Sequence, residues 1–426
     1  MTTGEEMHAW ARELYPICRS ITGDGVRQTL RFLDQLLSQR LTIHEVPTGT
    51  KAFDWTVPRE WNIREGWIRD ESGRTIVDFR HSNLHVLGYS IPVDKRVMFE
   101  ELDKHLYSLP QQPDAIPYIT SYYAERWGFC LTDNQRRLLK PGPYHVHIDS
   151  TLADGALTYG ELLIPGESEE EILLSTYVCH PSMANNELSG PVVTTALARW
   201  LLSLPKRRYS YRVVFIPETI GSIVYLSRNI EAMKRNTVAG FVVTCVGDDR
   251  TYSLLRSRYG TTYADKIAVN VLRSHFPGFV EYSFLSRGSD ERQYGAPGVD
   301  LPVVSVMRSK YCEYPEYHTS LDDLTLVTPT GLGGAFDVLQ RCCEALERNR
   351  RYKINVLCEP QLGKRGLYPT LSTKETRALT RTMTDFIAYA DGTNDLIDIS
   401  QRIGVAVWEL YPVVDKLSAA GLIDVV

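Results

Sequence analysis

Several sequence patterns that mark common protein functions are missing from this chain of 426 residues. It contains no Walker loop and no dinucleotide-binding fingerprint, so motif evidence for a nucleotide cofactor is lacking. The formal net charge is -5, and no cluster of lysine and arginine forms the footprint that phosphate backbones require. Nucleic acid is therefore not favoured as a partner.

Signals for membranes and disulfides are also absent. The N-terminus lacks the basic start and apolar core of a signal peptide, and no later apolar run is long enough to span a bilayer. The eight cysteines lie at irregular positions without a Cys-x-x-Cys pair, which argues against a disulfide framework and against a thiolate zinc site. We therefore expect a cytoplasmic protein without a membrane partner.

The texture of the sequence changes twice along a chain that is longer than one core usually needs. Helical patterns cover residues 4–40, whereas short strand-like pieces rich in Trp, Tyr and Pro follow from about 45 to 140. We predict a discontinuous core domain at 1–44 and 141–355, an inserted β-rich domain at 45–140, and a winged-helix-like domain at 356–426.

Strands and helices alternate within the predicted core domain. Strands are predicted at 171–178, 211–216, 239–246 and 301–307, with helices at 190–202, 223–234, 262–276 and 330–347. Apolar strands that alternate with helices indicate an α/β fold with a mostly parallel, doubly wound sheet covered on both faces. Ligands bind such sheets beyond the carboxyl ends of the strands. The polar residues that follow the strands are therefore site candidates: His180, Glu218, Asp248 with Asp249, and His318.

The C-terminal segment has the pattern of a helix at 372–390 followed by helix, turn and helix at 395–426. Acidic residues outnumber basic ones in this tail, although a helix that reads DNA normally needs the opposite charge. We therefore favour a protein contact, such as a homodimer through this domain, over DNA binding.

Two histidines, His180 and His318, each follow an apolar run and flank loops rich in Ser, Thr, Asn and Gly. Imidazole and carboxylate groups are the usual ligands of a catalytic zinc, and Glu187 is the nearest carboxylate able to complete a set of three. Glu218 is the predicted general base or acid. The structural alternatives are hydrogen-bonded core histidines, a helix N-terminal acid at Glu187, and a capping acid at Glu218 that precedes Thr219.

Substrate-binding candidates lie in two later segments. Arg292 is suited to clamp a substrate carboxylate, and Asp290 belongs to the same polar turn, although a solvated ion pair explains the turn equally well. Tyr311 and Tyr317 lie close to His318 in sequence, where they line a pocket, bind an oxyanion or form a packed aromatic loop. The pocket walls are expected from the 45–140 insertion.

The order of these segments resembles the zinc aminopeptidase superfamily. The resemblance rests on His180, Asn-Asn-Glu-Leu-Ser-Gly at 185–190, Pro-Glu-Thr-Ile-Gly-Ser at 217–222 and Tyr-His-Thr-Ser at 317–320. It is strongest to a bacterial branch with an inserted β domain and a winged-helix tail, often associated with polysaccharide or natural-product biosynthesis. The resemblance implies that His180 and His318 are metal ligands and that Glu218 is the catalytic glutamate.

Three positions depart from the pattern of that superfamily. Asn186, Thr219 and Thr244 stand where the resemblance implies carboxylate ligands. One zinc ion between His180 and His318, with Glu187 in place of the lost aspartate, is the simplest solution. A second ion would require other carboxylates, namely Asp248, Asp249 or Asp290.

These observations predict a mononuclear zinc hydrolase that cleaves an amide or peptide-like bond in a small molecule. Three alternatives remain open. The first is a binding or scaffold protein that kept the peptidase fold without its activity. The second is a regulator that contacts DNA through the tail, and the third is a single-zinc acyltransferase or cyclase. The sequence does not separate hydrolysis from acyl transfer.

Overall fold

A computed structural model describes residues 1–367 and 374–426, with side chains of the second range described from residue 380 onwards. The described chain forms two compact units: unit 1 is Met1–Gly260 with Val280–Phe336, and unit 2 is Thr261–Phe279 with Asp337–Val426. Within the described ranges, no helix has both the length and the apolar character that crossing a bilayer requires. The three predicted domain boundaries stay a prediction.

The helices and strands are numbered in chain order. The α-helices of the described residues are α1 (Thr3–Leu14), α2 (Asp24–Leu36), α3 (Phe99–Leu102), α4 (Asp133–Arg137), α5 (Ser189–Ser203), α6 (Ile220–Asn236), α7 (Tyr263–His275), α8 (Glu291–Tyr294), α9 (Pro329–Arg348), α10 (Lys374–Tyr389), α11 (Leu396–Ile403) and α12 (Val407–Ala419). The strands are β1 (Thr42–Pro47), β2 (Lys51–Ala52), β3 (Trp55–Thr56), β4 (Glu60–Asp70), β5 (Thr75–Asp78), β6 (Val93–Met98), β7 (Leu106–Tyr107), β8 (Phe129–Cys130), β9 (Pro143–Ala153), β10 (Ala156–Ile164), β11 (Glu171–Tyr177), β12 (Ser210–Ile216), β13 (Thr237–Val242), β14 (Ser253–Leu255), β15 (Val280–Tyr282), β16 (Val303–Met307), β17 (Arg351–Ile354), β18 (Asp391–Asp395) and β19 (Ile423–Val425).

An eight-stranded sheet forms the centre of unit 1, in the order β1-β10-β12-β11-β13-β16-β14-β15. The four central strands β12, β11, β13 and β16 are parallel to one another. All seven residues of β11 are buried, which requires packing layers on both faces of the sheet. The predicted mostly parallel α/β sheet is thus confirmed. The antiparallel pairs lie towards its edges, and the short strands β14 and β15 carry too few residues for a sequence pattern.

The parallel strands bring the predicted site residues to one edge of the sheet. Tyr177 at the end of β11 pairs in register with Ile216 at the end of β12, so the segments carrying His180 and Glu218 leave the sheet side by side. β13 ends at Val242, four residues before its predicted end, because the chain turns at Cys245 with a left-handed φ of 51°.

Close packing explains the glycine of the Ser-Gly pair that begins α5. A Cβ atom at this position would lie 2.3 Å from the carbonyl oxygen of Val243 and 2.4 Å from the hydroxyl oxygen of Thr176. Any larger residue would therefore push α5 away from the end of the sheet. The glycine lets the backbone approach closely where the site is formed.

The segment 45–140 contributes β4, β5 and β6 to a four-stranded antiparallel sheet in the order β5-β4-β9-β6, whose strand β9 follows that segment. Its apolar face packs a core of its own that includes Ile68, Val77, Phe129 and Val146, each at most 1% exposed. Strand β9 lies between β4 and β6 in this sheet, and the chain continues from it directly into β10 of the central sheet.

Unit 2 contains a three-stranded sheet in the order β18-β17-β19, together with a helix-turn-helix formed by α11 and α12. The guanidinium of Arg341 lies 4.3 Å from the ring centroid of Trp408, and that of Arg348 lies 4.6 Å from the ring of Tyr411. Both arginines belong to α9, so two aromatic side chains of α12 pack within the unit.

A buried carboxylate fixes the turn that precedes α5. Residues Ala184–Leu188 form one π-helical turn, and the N–H groups of its first three residues donate to the Asp322 carboxylate at 3.1, 2.5 and 2.9 Å. The Tyr314 hydroxyl donates to the same group at 2.9 Å. Burial raises the pKa of Asp322 to about 6, so the group is still mostly ionised at neutral pH.

A partly buried ion pair joins α2 to the start of the insertion. Arg27 contacts Glu60 through two nitrogens, at 2.5 Å for Nη2–Oε1 and 3.0 Å for Nη1–Oε2. The N–H of Ala156 also donates to Glu60. Arg27 is the largest influence on Glu60 and lowers its pKa to about 2.

We expect the substitution Asp322→Asn to lower the free energy of unfolding by about 3 kcal/mol, because charge-assisted hydrogen bonds to a buried turn are lost. Urea unfolding at neutral pH measures the change. The neighbouring Asp323→Asn is the matched control, since Asp323 is only partly buried and bonds within its own loop to Thr325. Equal losses in the two variants would contradict the role of Asp322.

We expect Glu60→Gln to lower the free energy of unfolding by about 2 kcal/mol at pH 7. The pKa of Glu60 is lower in the folded chain than in the unfolded one, so this stabilisation is present above the ordinary pKa and is lost as the pH falls towards 2. Urea unfolding of wild type and variant should therefore converge on acidification. Asp149→Asn, which breaks an ion pair whose Arg64 partner is 76% exposed, should have little effect. If the difference in unfolding free energy between wild type and Glu60→Gln did not change with pH, the stabilising role of the Arg27–Glu60 ion pair would be contradicted.

Candidate metal centre

His180 follows β11 and presents its two ring nitrogens to different partners. Nδ1 lies 2.9 Å from Oε2 of Glu187, and Nε2 lies 3.6 Å from Oε2 of Glu218. An ionised carboxylate only accepts hydrogen bonds, so Glu187 favours the tautomer that carries its hydrogen on Nδ1. Burial disfavours the charged imidazolium, but Cys179 and Glu187 outweigh it and raise the pKa of His180 well above its ordinary value.

Glu187 is in turn held by Arg19, and neither side chain is exposed. The Nε atom of Arg19 lies 3.6 Å from Oε1 of Glu187 and donates at 3.0 Å to the carbonyl oxygen of His180. Nη1 of Arg19 donates to the carbonyl oxygen of Leu14 at 2.8 Å. The two carboxylate oxygens of Glu187 thus face Arg19 and Nδ1 of His180, on the side of the ring away from Nε2.

His318 belongs to the long loop between β16 and α9 and has a left-handed φ of 55°. Its ring stacks on Tyr317 at a centroid distance of 3.9 Å and lies 5.4 Å from the ring centroid of His180. Its Nε2 atom is buried without a hydrogen-bond partner. Burial, and then the nearby His180, lower the pKa of His318 to about 3, so its imidazole is neutral.

Glu218 follows β12 and is only partly buried, with 20% of its side chain exposed. Its Oε1 accepts a hydrogen bond from Ser289 at 2.7 Å, and its backbone N–H donates to the Cys179 sulfur at 3.2 Å. The desolvated location raises the pKa of Glu218. Oε2 is thus the oxygen directed towards His180.

These residues fit a divalent metal ion by the chemistry of their donor atoms. The unpartnered, neutral Nε2 of His318 is the clearest observation, because a buried nitrogen without a partner is costly. His180 and Glu218 line the same cavity as His318. Imidazole nitrogens are common zinc ligands, and a carboxylate outside the ligand set is available as a base.

A different group of ligand-type atoms lies closer together. Within the described part of the chain, atoms of Cys179, His180 and Glu187 are within 4.8 Å of one another, and His318 is outside this group. Burial raises the pKa of the Cys179 thiol to about 11, and its sulfur already accepts the N–H of Glu218. Nδ1 of His180 and Oε2 of Glu187 also bond to each other, so these atoms have partners within the protein, unlike Nε2 of His318.

Two of the positions that depart from the superfamily pattern form a neutral hydrogen-bonded cluster. Asn186 donates to the Tyr177 hydroxyl at 3.0 Å, and that hydroxyl lies 2.5 Å from the Thr244 hydroxyl oxygen. Thr244 donates to the backbone oxygen of Asn186 at 3.1 Å. The third position, Thr219, accepts a hydrogen bond from Arg292.

The three carboxylates considered for a second ion each accept hydrogen bonds from residues other than the two histidines. Asp248 accepts hydrogen bonds from the N–H and hydroxyl of Ser309, both at 2.9 Å. Asp249 accepts the Thr328 hydroxyl at 2.6 Å. Oδ1 of Asp290 accepts the backbone N–H of Thr219 at 2.8 Å, whereas its Oδ2 is buried without a hydrogen-bond partner. None of the three lines the cavity that His180 and His318 border.

The cavity next to the two histidines has a volume of ≈ 410 Å³. Of the predicted substrate-binding residues, Arg292 lines it, whereas Asp290, Tyr311 and Tyr317 do not. Asp290 is fully buried, and the Tyr311 hydroxyl donates to Glu291 at 2.6 Å. The ring of Tyr317 stacks on the ring of His318.

The insertion supplies one wall of this cavity, as expected from the sequence. Its contribution includes Trp55, Tyr118, Tyr122 and Tyr123. These residues were not among the sequence candidates, although the aromatic richness of the segment was visible. Only the folded chain shows which aromatic side chains reach the cavity.

Backbone hydrogen bonds connect this wall to the loop of His318. The N–H of Tyr118 donates to the carbonyl oxygen of His318 at 3.0 Å. The N–H of Ser320 donates to the carbonyl oxygen of Ile116 at 2.9 Å, and the Ser320 hydroxyl accepts the N–H of Ile116 at 2.9 Å. The insertion is therefore tied directly to a predicted metal ligand.

Comparisons with known proteins agree with this architecture. A family model described as "Domain of unknown function (DUF4910)" matches residues 8–349, and one described as "winged helix-turn-helix" matches residues 350–425. A protein of Clostridium acetobutylicum is 45% identical over the whole chain and 97% of its own length. Its name gives it an aminopeptidase-like domain and, provisionally, a role in polysaccharide biosynthesis.

Solved structures show the same fold. A crystal structure of a candidate peptidase from Clostridium acetobutylicum has a TM-score of 0.92 and 44% identity, covering 100% of this chain and 97% of that one. A zinc aminopeptidase from Bacillus subtilis has a TM-score of 0.58 at 11% identity, covering 80% of this chain and 94% of that one. The chain therefore belongs to the family of aminopeptidase-like proteins that carry a C-terminal winged helix-turn-helix domain.

Proposed function

We propose that this protein is a single-zinc hydrolase that cleaves an amide or peptide-like bond in a small molecule. The supporting observation is that the unpartnered Nε2 of His318 borders the same cavity as His180 and the partly exposed Glu218. A bound zinc ion supplies Lewis-acid polarisation of the scissile carbonyl group. The name of the Clostridium acetobutylicum relative supports a substrate from polysaccharide biosynthesis.

In this proposal His180 and His318 supply the nitrogen ligands. The sequence predicts Glu187 as the third ligand. In the structure Glu187 contacts Nδ1 of His180, so it can orient the imidazole ring. A carboxylate on the far nitrogen of a ligating histidine fixes the ring and raises its basicity. Glu187 therefore acts on the ion through the imidazole of His180, and Arg19 holds Glu187 in place.

Glu218 is the proposed catalytic residue. Ser289 donates to one of its oxygens and leaves the other directed into the site. The free oxygen accepts a proton from the attacking water and then passes that proton to the leaving nitrogen. Replacement of three superfamily carboxylates also suits an inactive scaffold, but a scaffold has no need of a carboxylate at this place.

Zinc content tests the ligand assignment. We expect wild-type protein, loaded with zinc and then dialysed, to retain about one ion per chain. His180→Ala and His318→Ala should each lower zinc affinity at least tenfold, because each removes a nitrogen ligand. Elemental analysis with competition by a chelator measures this.

His145→Ala is the control for the zinc measurement, because His145 lies on the insertion sheet and pairs with Asp94 at 2.6 Å. Circular dichroism verifies that all variants are folded. Undiminished zinc in both His180→Ala and His318→Ala would remove the proposed metal site.

Activity tests the role of Glu218. We expect Glu218→Gln to keep its zinc but to hydrolyse acyl amides at least about 100-fold more slowly, since the general base is lost. A screen of acylated amino sugars and aminoacyl amides with zinc-loaded wild type identifies the assay substrate. Glu231→Gln changes an exposed residue of α6 and should leave the rate unchanged. A Glu218→Gln variant as active as wild type would refute this role.

A further inference from the structure

The charged groups on the cavity wall are few, and they differ from those that an aminopeptidase needs. Among the described residues that line the cavity, Glu218 is the only carboxylate, and Arg292 is the only guanidinium or ammonium group. A carboxylate that is not otherwise engaged is the strongest partner for a free substrate amine. Glu218 faces His180 and is bonded to Ser289, so no second carboxylate remains at the wall for an ammonium group.

Arg292 has hydrogen-bonding capacity that the protein does not use. One terminal nitrogen donates to the Thr219 hydroxyl, while Nε is buried without a partner. The described residues place no carboxylate within ion-pair distance of Arg292: neighbouring Asp290 bonds to Thr219 and Ser222, and Glu291 accepts Tyr311. Its nearest charged neighbour on the cavity wall is Glu218, whose pKa it lowers without a direct contact. A partly buried guanidinium with no carboxylate bonded to it is suited to bind a carboxylate from a ligand.

The cavity wall that the insertion supplies is aromatic. Trp55 is 40% exposed, Tyr123 is 60% exposed, and their rings meet edge to face at 6.0 Å. The hydroxyl groups of Tyr118 and Tyr122, on the same wall, form a hydrogen bond of 2.7 Å with each other. Such a surface packs against a ring or another apolar group of a ligand.

We propose that the cavity selects a substrate whose amine is acylated and which carries a free carboxylate, with Arg292 binding that carboxylate and the aromatic wall packing against the acyl group. This rests on the proposed function, because it takes the cavity beside His180 and His318 as the substrate site. N-acylated amino acids and acylated acidic sugars belong to this class.

Three matched probes test the selection. N-benzoylglycine carries the acylated amine and the carboxylate, N-benzoylglycinamide lacks only the negative charge, and glycine benzylamide carries a free amine. Isothermal titration calorimetry uses zinc-loaded full-length Glu218→Gln protein, so that no probe is hydrolysed. We expect N-benzoylglycine to bind at least about tenfold more tightly than either of the other probes.

The variant Arg292→Gln should abolish that tenfold preference and leave the affinity for N-benzoylglycinamide within about twofold. Arg287→Gln is the control, because Arg287 is exposed and does not line the cavity. Trp55 reports the location of binding, since a fluorescence change that disappears in Trp55→Phe comes from this cavity.

The inference is overturned if N-benzoylglycine shows no binding at millimolar concentration, if glycine benzylamide binds more tightly, or if the preference survives in Arg292→Gln. These outcomes do not depend on turnover. A charge preference without any wild-type hydrolysis would instead refute the proposed function and leave the carboxylate selection standing.

Discussion

The buried contact between Glu187 and the imidazole of His180 is the interaction on which the rest of the site depends. Arg19 balances the charge of Glu187 and also holds the backbone oxygen of His180, so one guanidinium controls both the side chain and the main chain at this point. A buried ion pair of this kind is retained only where its geometry satisfies the charges. Asp322 completes the arrangement by fixing the turn that carries Glu187.

The neutral residues around this contact show how the family pattern has changed. Asn186 and Thr244 bond to the Tyr177 hydroxyl, and this cluster lies where the superfamily resemblance implies carboxylates. Fewer negative charges beside His180 mean weaker attraction for a second cation. At the third such position, Thr219 offers Arg292 a neutral hydroxyl in place of a carboxylate.

Much of the sheet and part of the site could be predicted because their signals are local. The apolar run that ends at Tyr177 and the polar residues His180 and Glu218 after two parallel strands are visible in the sequence, and topology brings their ends together. Arg19 could not be found in this way, because its partner Glu187 lies far along the chain. The insertion's wall residues could not be chosen either, since many aromatics occur there and only long-range packing decides which face the cavity.

The hydrogen bonds between residues 116–120 and the loop of His318 have a consequence for how such a protein diversifies. A segment that recognises substrate usually varies freely when it stands apart from the reactive groups. Here the segment that lines the cavity shares its backbone pairing with the loop of His318, a proposed metal ligand. New specificities should therefore arise by exchanging side chains on an unchanged main chain, whereas insertions or deletions in this stretch would disturb reactivity as well as selectivity.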